Sequence, residues 1–122
     1  MITTEEKMFD LSYLEEMDDP EFMIRVIELY LTEMPNDLLA MNRALKTGDF
    51  EIIKINAHKL KSSTGMLQAS KLFTLLQQTE SLVCKHLVHS HLQDKLKEVN
   101  IEFELLKHAL QKHIQSLKAK AA

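Results

Sequence analysis

Four stretches of this 122-residue chain return an apolar side chain every three or four positions, the spacing that lines up one face of an α-helix. In the last of them Leu92, Leu96, Val99, Phe103, Leu106, Leu110, His113 and Leu117 alternate four and three residues apart, a heptad seam. Such a seam has to be covered, and three other amphipathic stretches are at hand to cover it. Only 2 Gly and 2 Pro punctuate the chain, so turns are few and helices long. No stretch shows the sustained two-residue alternation of a half-buried strand. The expected fold is all-α: an up-down-up-down antiparallel four-helix bundle with a short N-terminal helix, one domain over residues 1–122.

Capping signals divide the chain. Ser12 followed by Glu15 has the form of a capping box for a short helix over 11–17. Asp18, Asp19 and Pro20 start the next, because proline tolerates the first helical position and acids suit the positive end of the helix dipole. That helix is expected over 19–47, with Phe22, Val26, Tyr30, Met34, Leu38, Met41 and Leu45 as its apolar stripe and Gly48 as its C-terminal cap. Pro35 falls inside it and predicts a kink, or a split into two helices, near Leu31 to Met34. Asp49 caps a helix over 49–67. Another covers 70–86, with Leu72, Leu75, Leu76, Thr79, Leu82 and Val83 buried, and the last covers 90–118.

Several function classes are disfavoured. No apolar run reaches the roughly 18 to 20 residues that cross a bilayer, and the acidic N-terminus is not signal-like, so a cytoplasmic location without membrane attachment is expected. The single Cys84 has no intrachain partner and is expected half-buried on its helix. His86, His89 and His91 lie close in sequence, but no Cys or carboxylate completes a metal site at zinc-ligand spacing. Residues 1–51 carry 13 acids and 4 bases, a charge of −9, and the remainder carries +6. No continuous basic face with interleaved aromatics accompanies this, which argues against nucleic acid and for an acidic protein partner.

His58 stands apart from the other histidines. At 100° per residue, Glu51, Lys54, Ile55, Lys61, Ser62 and Gly65 share its side of the helix, and Ile53, Leu60 and Leu67 lie opposite. The imidazole thus points away from the core, among cations and small residues. Imidazole ordinarily titrates near 6.5, so its neutral form offers a nitrogen lone pair without an activating base. A lysine one turn away can stabilise a transferring phosphoryl group, since such transfer depends mainly on positioning and electrostatics. Ser62 and Gly65 keep the surface low enough for another protein to approach.

The run Ala57-His58-Lys59-Leu60-Lys61-Ser62-Ser63-Thr64-Gly65 resembles the signature of histidine-containing phosphotransfer (HPt) domains, and Gln77-Gln78-Thr79-Glu80 is similar to the family's matching segment on the next helix. The resemblance implies a phosphoryl carrier without autokinase activity, which relays phosphoryl groups between aspartyl receiver domains. It implies His58 as the acceptor and donor, Lys61 as its charge partner, and Glu80 as the group that hydrogen-bonds the other ring nitrogen. Lys54, Ile55, Ser62, Gly65 and Met66 are the expected docking residues. Ser62 stands where the family most often has glycine, so docking is expected to be less close or more selective. The implied partners are response-regulator receivers and a hybrid histidine kinase. No cofactor is expected in this chain, Mg²⁺ belonging to the receiver, and the chain is expected to be a monomer.

Two other readings stay open. One is the dimerisation and phosphoacceptor region of a histidine kinase, although that motif usually has proline five residues after the histidine, where Ser63 stands. The other is a helical adaptor whose last seam pairs with a second chain.

Overall fold

The computed structural model describes residues 8–85 and 89–121. All regular structure among them is helical: α1 (Ser12–Glu15), α2 (Pro20–Thr47), α3 (Phe50–Met66), α4 (Ser70–Cys84) and α5 (His89–Ala121). Helix α2 packs on α3, α3 on α4 and α4 on α5, and α5 closes the ring onto α2. Short joints between consecutive long helices make the neighbours antiparallel, so this is the expected up-down-up-down bundle. Among the described residues, no helix is long and apolar enough to cross a membrane.

The caps follow local chemistry. The Asp19 carboxylate accepts from the Phe22 amide at 3.0 Å with Pro20 at the first helical position, and Asp49 accepts from the Ile52 amide at 3.4 Å. Gly48 takes a left-handed conformation, φ 75°, as the C-terminal cap of α2. The α1 start differs from the expected capping box. Asp10, two residues earlier, accepts from the Ser12 amide at 2.9 Å and from its hydroxyl, while Ser12 is already helical. The Asp10 amide in turn donates to the Leu67 carbonyl at 2.9 Å, which ties α1 to the end of α3 and seats Leu11 and Leu14 in the core.

Helix α2 runs as one element through Pro35, so of the two expected outcomes near Leu31 to Met34, a kink or a split, the split does not occur. The ring lies on the exposed side of the helix, where water can take over the Leu31 carbonyl that loses its amide partner. The buried stripe of α2 is Met23, Ile27, Tyr30, Met34, Leu38, Met41, Ala44 and Leu45, so Phe22 and Val26 leave the expected set. A strict spacing of four drifts around a helix of 3.6 residues per turn, and Ile27 and Met23 continue the buried line beyond Tyr30. The heptad spacing of about 3.5 falls short of 3.6 and drifts the opposite way, so Ile114 joins the core of α5, with His113 and Leu117 half-buried. His113 instead packs edge-on against Phe9, with centroids 5.6 Å apart. Cys84 is exposed rather than half-buried, because the buried line of α4 ends on Val83 and the next residue turns about 100° away. Helix α4 stops at Cys84, short of the expected 86, and α5 begins at His89 and reaches Ala121. His86 lies outside the described residues, as does the side chain of His89.

Core polar groups are paired where they matter to the site helix. Thr64, fully buried on α3, meets the Tyr30 hydroxyl of α2 at 2.8 Å. Burial pushes the Tyr30 phenol well above its ordinary value of 10.0, so this hydroxyl stays neutral. Removing one partner strands the other. Thr64→Val is expected to cost about 1 to 3 kcal/mol in urea denaturation, and adding Tyr30→Phe should recover most of that loss, because two apolar groups leave nothing unsatisfied. A double variant as unstable as the sum of the singles would show that the bond is not the source of the cost.

Candidate functional site

Helix α3 separates two environments. Ile53, Ala57, Leu60 and Thr64 are buried, and the His58 side chain on the other side is 66% exposed. From α4, Glu80 reaches across to that exposed side. Its Oε2 lies 2.9 Å from His58 Nδ1, and its Oε1 accepts from Lys61 Nζ at 2.9 Å. One carboxylate therefore serves the imidazole and the ammonium together. Two turns farther along α3 and two turns back along α4, Gly65 faces Phe73, so both contacts belong to one antiparallel register. The Leu67 to Ala69 joint sets that register. It is held by amides of Leu67, Gln68 and Ala69 that donate back to Thr64 and Gly65, with Gln68 in a left-handed conformation at φ 50°.

Electrostatics fix the proton on the ring. Lys61, and to a smaller degree His58, hold the Glu80 carboxyl below its ordinary value of 4.5, against the opposing effect of its partial burial. An ionised carboxylate only accepts, so Nδ1 carries the hydrogen and donates it to Glu80. In the neutral ring the lone pair is then on Nε2, the nitrogen turned from α4. Glu80 and Lys61 are each about one-fifth exposed, so water screens their pair less than it screens a surface pair such as Lys118 with Glu28.

The other residues singled out in the sequence divide between two sides of α3. Lys54, Ile55 and Ser62 are exposed on the His58 side, Ile55 by 54%. Gly65 is half-buried, and a Cβ there would meet the Phe73 ring at 3.5 Å, an ordinary contact. Met66 lies around the helix, in a groove of about 240 Å³ between α2 and α3 that Leu29, Tyr30 and Leu60 also line. Lys59, on the same flank, pairs with Asp37 at 3.4 Å.

Sequence reasoning missed two features. The Lys61 to Glu80 pair was legible only once the α3–α4 register was known. Phe73 could have been found from its seven-residue spacing to Glu80, which puts both on one face of α4. Among the described residues, no group of His, Cys, Asp or Glu is arranged to hold a metal ion.

Comparison with known proteins agrees with this architecture. A family model described as the Hpt domain matches residues 25–120. The crystal structure of histidine-containing phosphotransfer protein B (HptB) from Pseudomonas aeruginosa PAO1 superposes with a TM-score of 0.81, over 89% of this chain and 96% of that one, at 16% sequence identity. At that identity the likeness speaks for the fold. No curated protein matches the chain.

The Glu80 titration and variants at Lys61 and Gly65 test the geometry. Carbon-detected NMR should find the Glu80 carboxyl titrating below 4.5, and Lys61→Met should move it upward, since the lysine hydrogen bond is the largest cause of the lowering. A carboxyl lowered on folding stabilises fully above its unfolded value, and that contribution fades as pH falls through the folded one, so Lys61→Met should weaken the acid dependence of unfolding. Gly65→Ala should be accepted, and its better helix propensity should raise stability by up to about 1 kcal/mol in thermal melts. Gly65→Leu should push against Phe73 and lower it.

Proposed function

Because the chain belongs to the Hpt domain family, we propose that His58 carries a phosphoryl group between aspartyl receiver domains of a two-component relay. The observation that supports this most is the His58 imidazole, two-thirds exposed, with Nδ1 engaged by Glu80 at 2.9 Å. This leaves Nε2 as the nucleophile. Its lone pair forms the N–P bond as the O–P bond of an aspartyl phosphate breaks, and the aspartate leaves as carboxylate. Positive charge then develops on the ring, and Glu80 opposes it. Transfer to a second aspartate is the same step in reverse.

Lys61 supplies the cation. Held by Glu80 and one turn from His58 on α3, it is the ammonium at hand to oppose the charge of incoming phosphoryl oxygens. Lys54 and Ile55 extend the exposed side of α3, and an acidic receiver surface would meet cations at Lys54 and Lys61 and an apolar group at Ile55. Such a small contact fits a transient encounter, in which charge speeds association more than it strengthens binding. The partners are thus receiver domains, including that of a hybrid histidine kinase. The phosphoryl group comes to the chain already activated, with Mg²⁺ supplied by the receiver and no autokinase step in this protein.

Incubation with a phosphorylated receiver tests the assignment. Wild-type protein should gain acid-labile phosphate, and His58→Gln should gain none while its circular dichroism stays helical, because the side chain makes no buried contact. Labelling that survives in His58→Gln and disappears when His91 or His108 is replaced would place the carrier elsewhere.

A further inference from the structure

The group on Nδ1 is a carboxylate, and the same carboxylate holds the nearest lysine. An amide could also orient the ring. It would bring no charge, and its oxygen or its NH₂ could face Nδ1 equally well. The difference becomes important after the phosphoryl group has arrived. Attack through Nε2 leaves a ring that carries both the N–P bond and the Nδ1 proton, and is therefore cationic. That proton can stay or be lost to water. If it stays, breaking the Nε2–P bond returns the electron pair to Nε2 and releases neutral imidazole, a good leaving group. If it is lost, the same bond must release an imidazolate anion, and transfer slows until the ring is protonated again.

We propose that Glu80 retains the Nδ1 proton of phospho-His58, and so sets this protein as a short-lived, readily reversible carrier rather than a phosphoryl store. The inference rests on His58 being the phosphoryl acceptor and concerns how long the group remains there. The charged surroundings make Glu80 the deciding group. On the His58 side of α3 the charges are Glu51, Lys54 and Lys61, and from α4 Glu80 is the charge in hydrogen-bond contact with the ring. Two nearby lysines favour loss of the ring proton, and the carboxylate between Lys61 and the imidazole outweighs them at 2.9 Å from each. The carboxylate stays ionised well into the acid range, as its lowered titration requires. Lys61 is shared: when phosphoryl oxygens arrive, its ammonium has a second acceptor within its reach, and moving toward it would leave Glu80 wholly to the ring.

The test follows phospho-His58 itself. The protein can be phosphorylated with phosphoramidate, which needs no receiver and keeps this question separate from relay activity. Loss of phosphate is then followed from pH 5 to pH 9 at the His58 NMR resonances. Wild type should stay labile through neutral pH. Glu80→Gln, which preserves shape, should match it near pH 5, where both rings are protonated, and should be longer-lived by about tenfold at pH 7.5, as a shift of one pH unit in ring protonation requires. Nitrogen NMR of the phosphorylated ring should show Nδ1 protonated at pH 7.5 in wild type and largely bare in Glu80→Gln. Equal lifetimes for the two proteins across the range, or an Nδ1 that keeps its proton without the carboxylate, would overturn the proposal. A protein that shows the expected profiles but accepts nothing from any receiver would instead overturn the relay function.

Discussion

The Glu80 carboxylate is the interaction on which the site depends, and it exists only at one relative setting of two helices. A slip of one residue in either helix moves a side chain by about 1.5 Å along the axis and 100° around it, enough to lose both 2.9 Å contacts. The setting is enforced from inside and from one end. Inside, α3 and α4 pack on each other, and they bury Ile53, Ala57, Leu60 and Thr64 of α3 and Leu72, Leu75, Leu76, Thr79 and Val83 of α4. At the end, the joint from Leu67 to Ala69 leaves no slack, and Gln68 accepts a left-handed backbone that costs a non-glycine residue about 1 kcal/mol or more.

The rest of the bundle makes that helix pair rigid. The long helices α2 and α5 complete the core, and Tyr30 of α2 reaches both Thr64 on the inner side of α3 and the ring of Phe103 on α5. Residues of α3 on opposite sides thus do different work. Thr64 and Leu60 bind it to its neighbours, and His58 and Lys61 meet the Glu80 carboxylate on the other side. Exposed ion pairs such as Lys118 with Glu28 add little, because water screens them and two long side chains must be ordered to make them. Burial of large side chains such as Phe103, Leu110 and Met34, each worth about 1.5 to 3 kcal/mol, carries most of the stability.

A carboxylate shared between imidazole and ammonium gives the site its chemical character. It fixes which nitrogen is free, it holds a cation one turn along the helix from the imidazole, and it balances that cation's charge. These effects need no movement of the backbone. The exposed imidazole and the small, exposed side chain at Ser62 leave that side of α3 open.

The sequence by itself determined the helices and the orientation of His58, because both follow from periodicity within one helix. Apolar spacing, the caps at Asp19, Gly48 and Asp49, and the wheel around His58 are local facts, and the structure agrees with them. Local reasoning failed where the outcome depends on what packs alongside. It shifted the α2 stripe at Phe22 and Val26 by one position, and it allowed a split at Pro35, whose exposed side of the helix tolerates the missing hydrogen bond. The family resemblance placed Glu80 beside the imidazole and gave Lys61 a separate part. Only the tertiary structure decided that both end on the same carboxylate, since a contact between residues 19 and 22 positions from their partner is set by the register of two helices, and the core, not the neighbouring sequence, chooses that register.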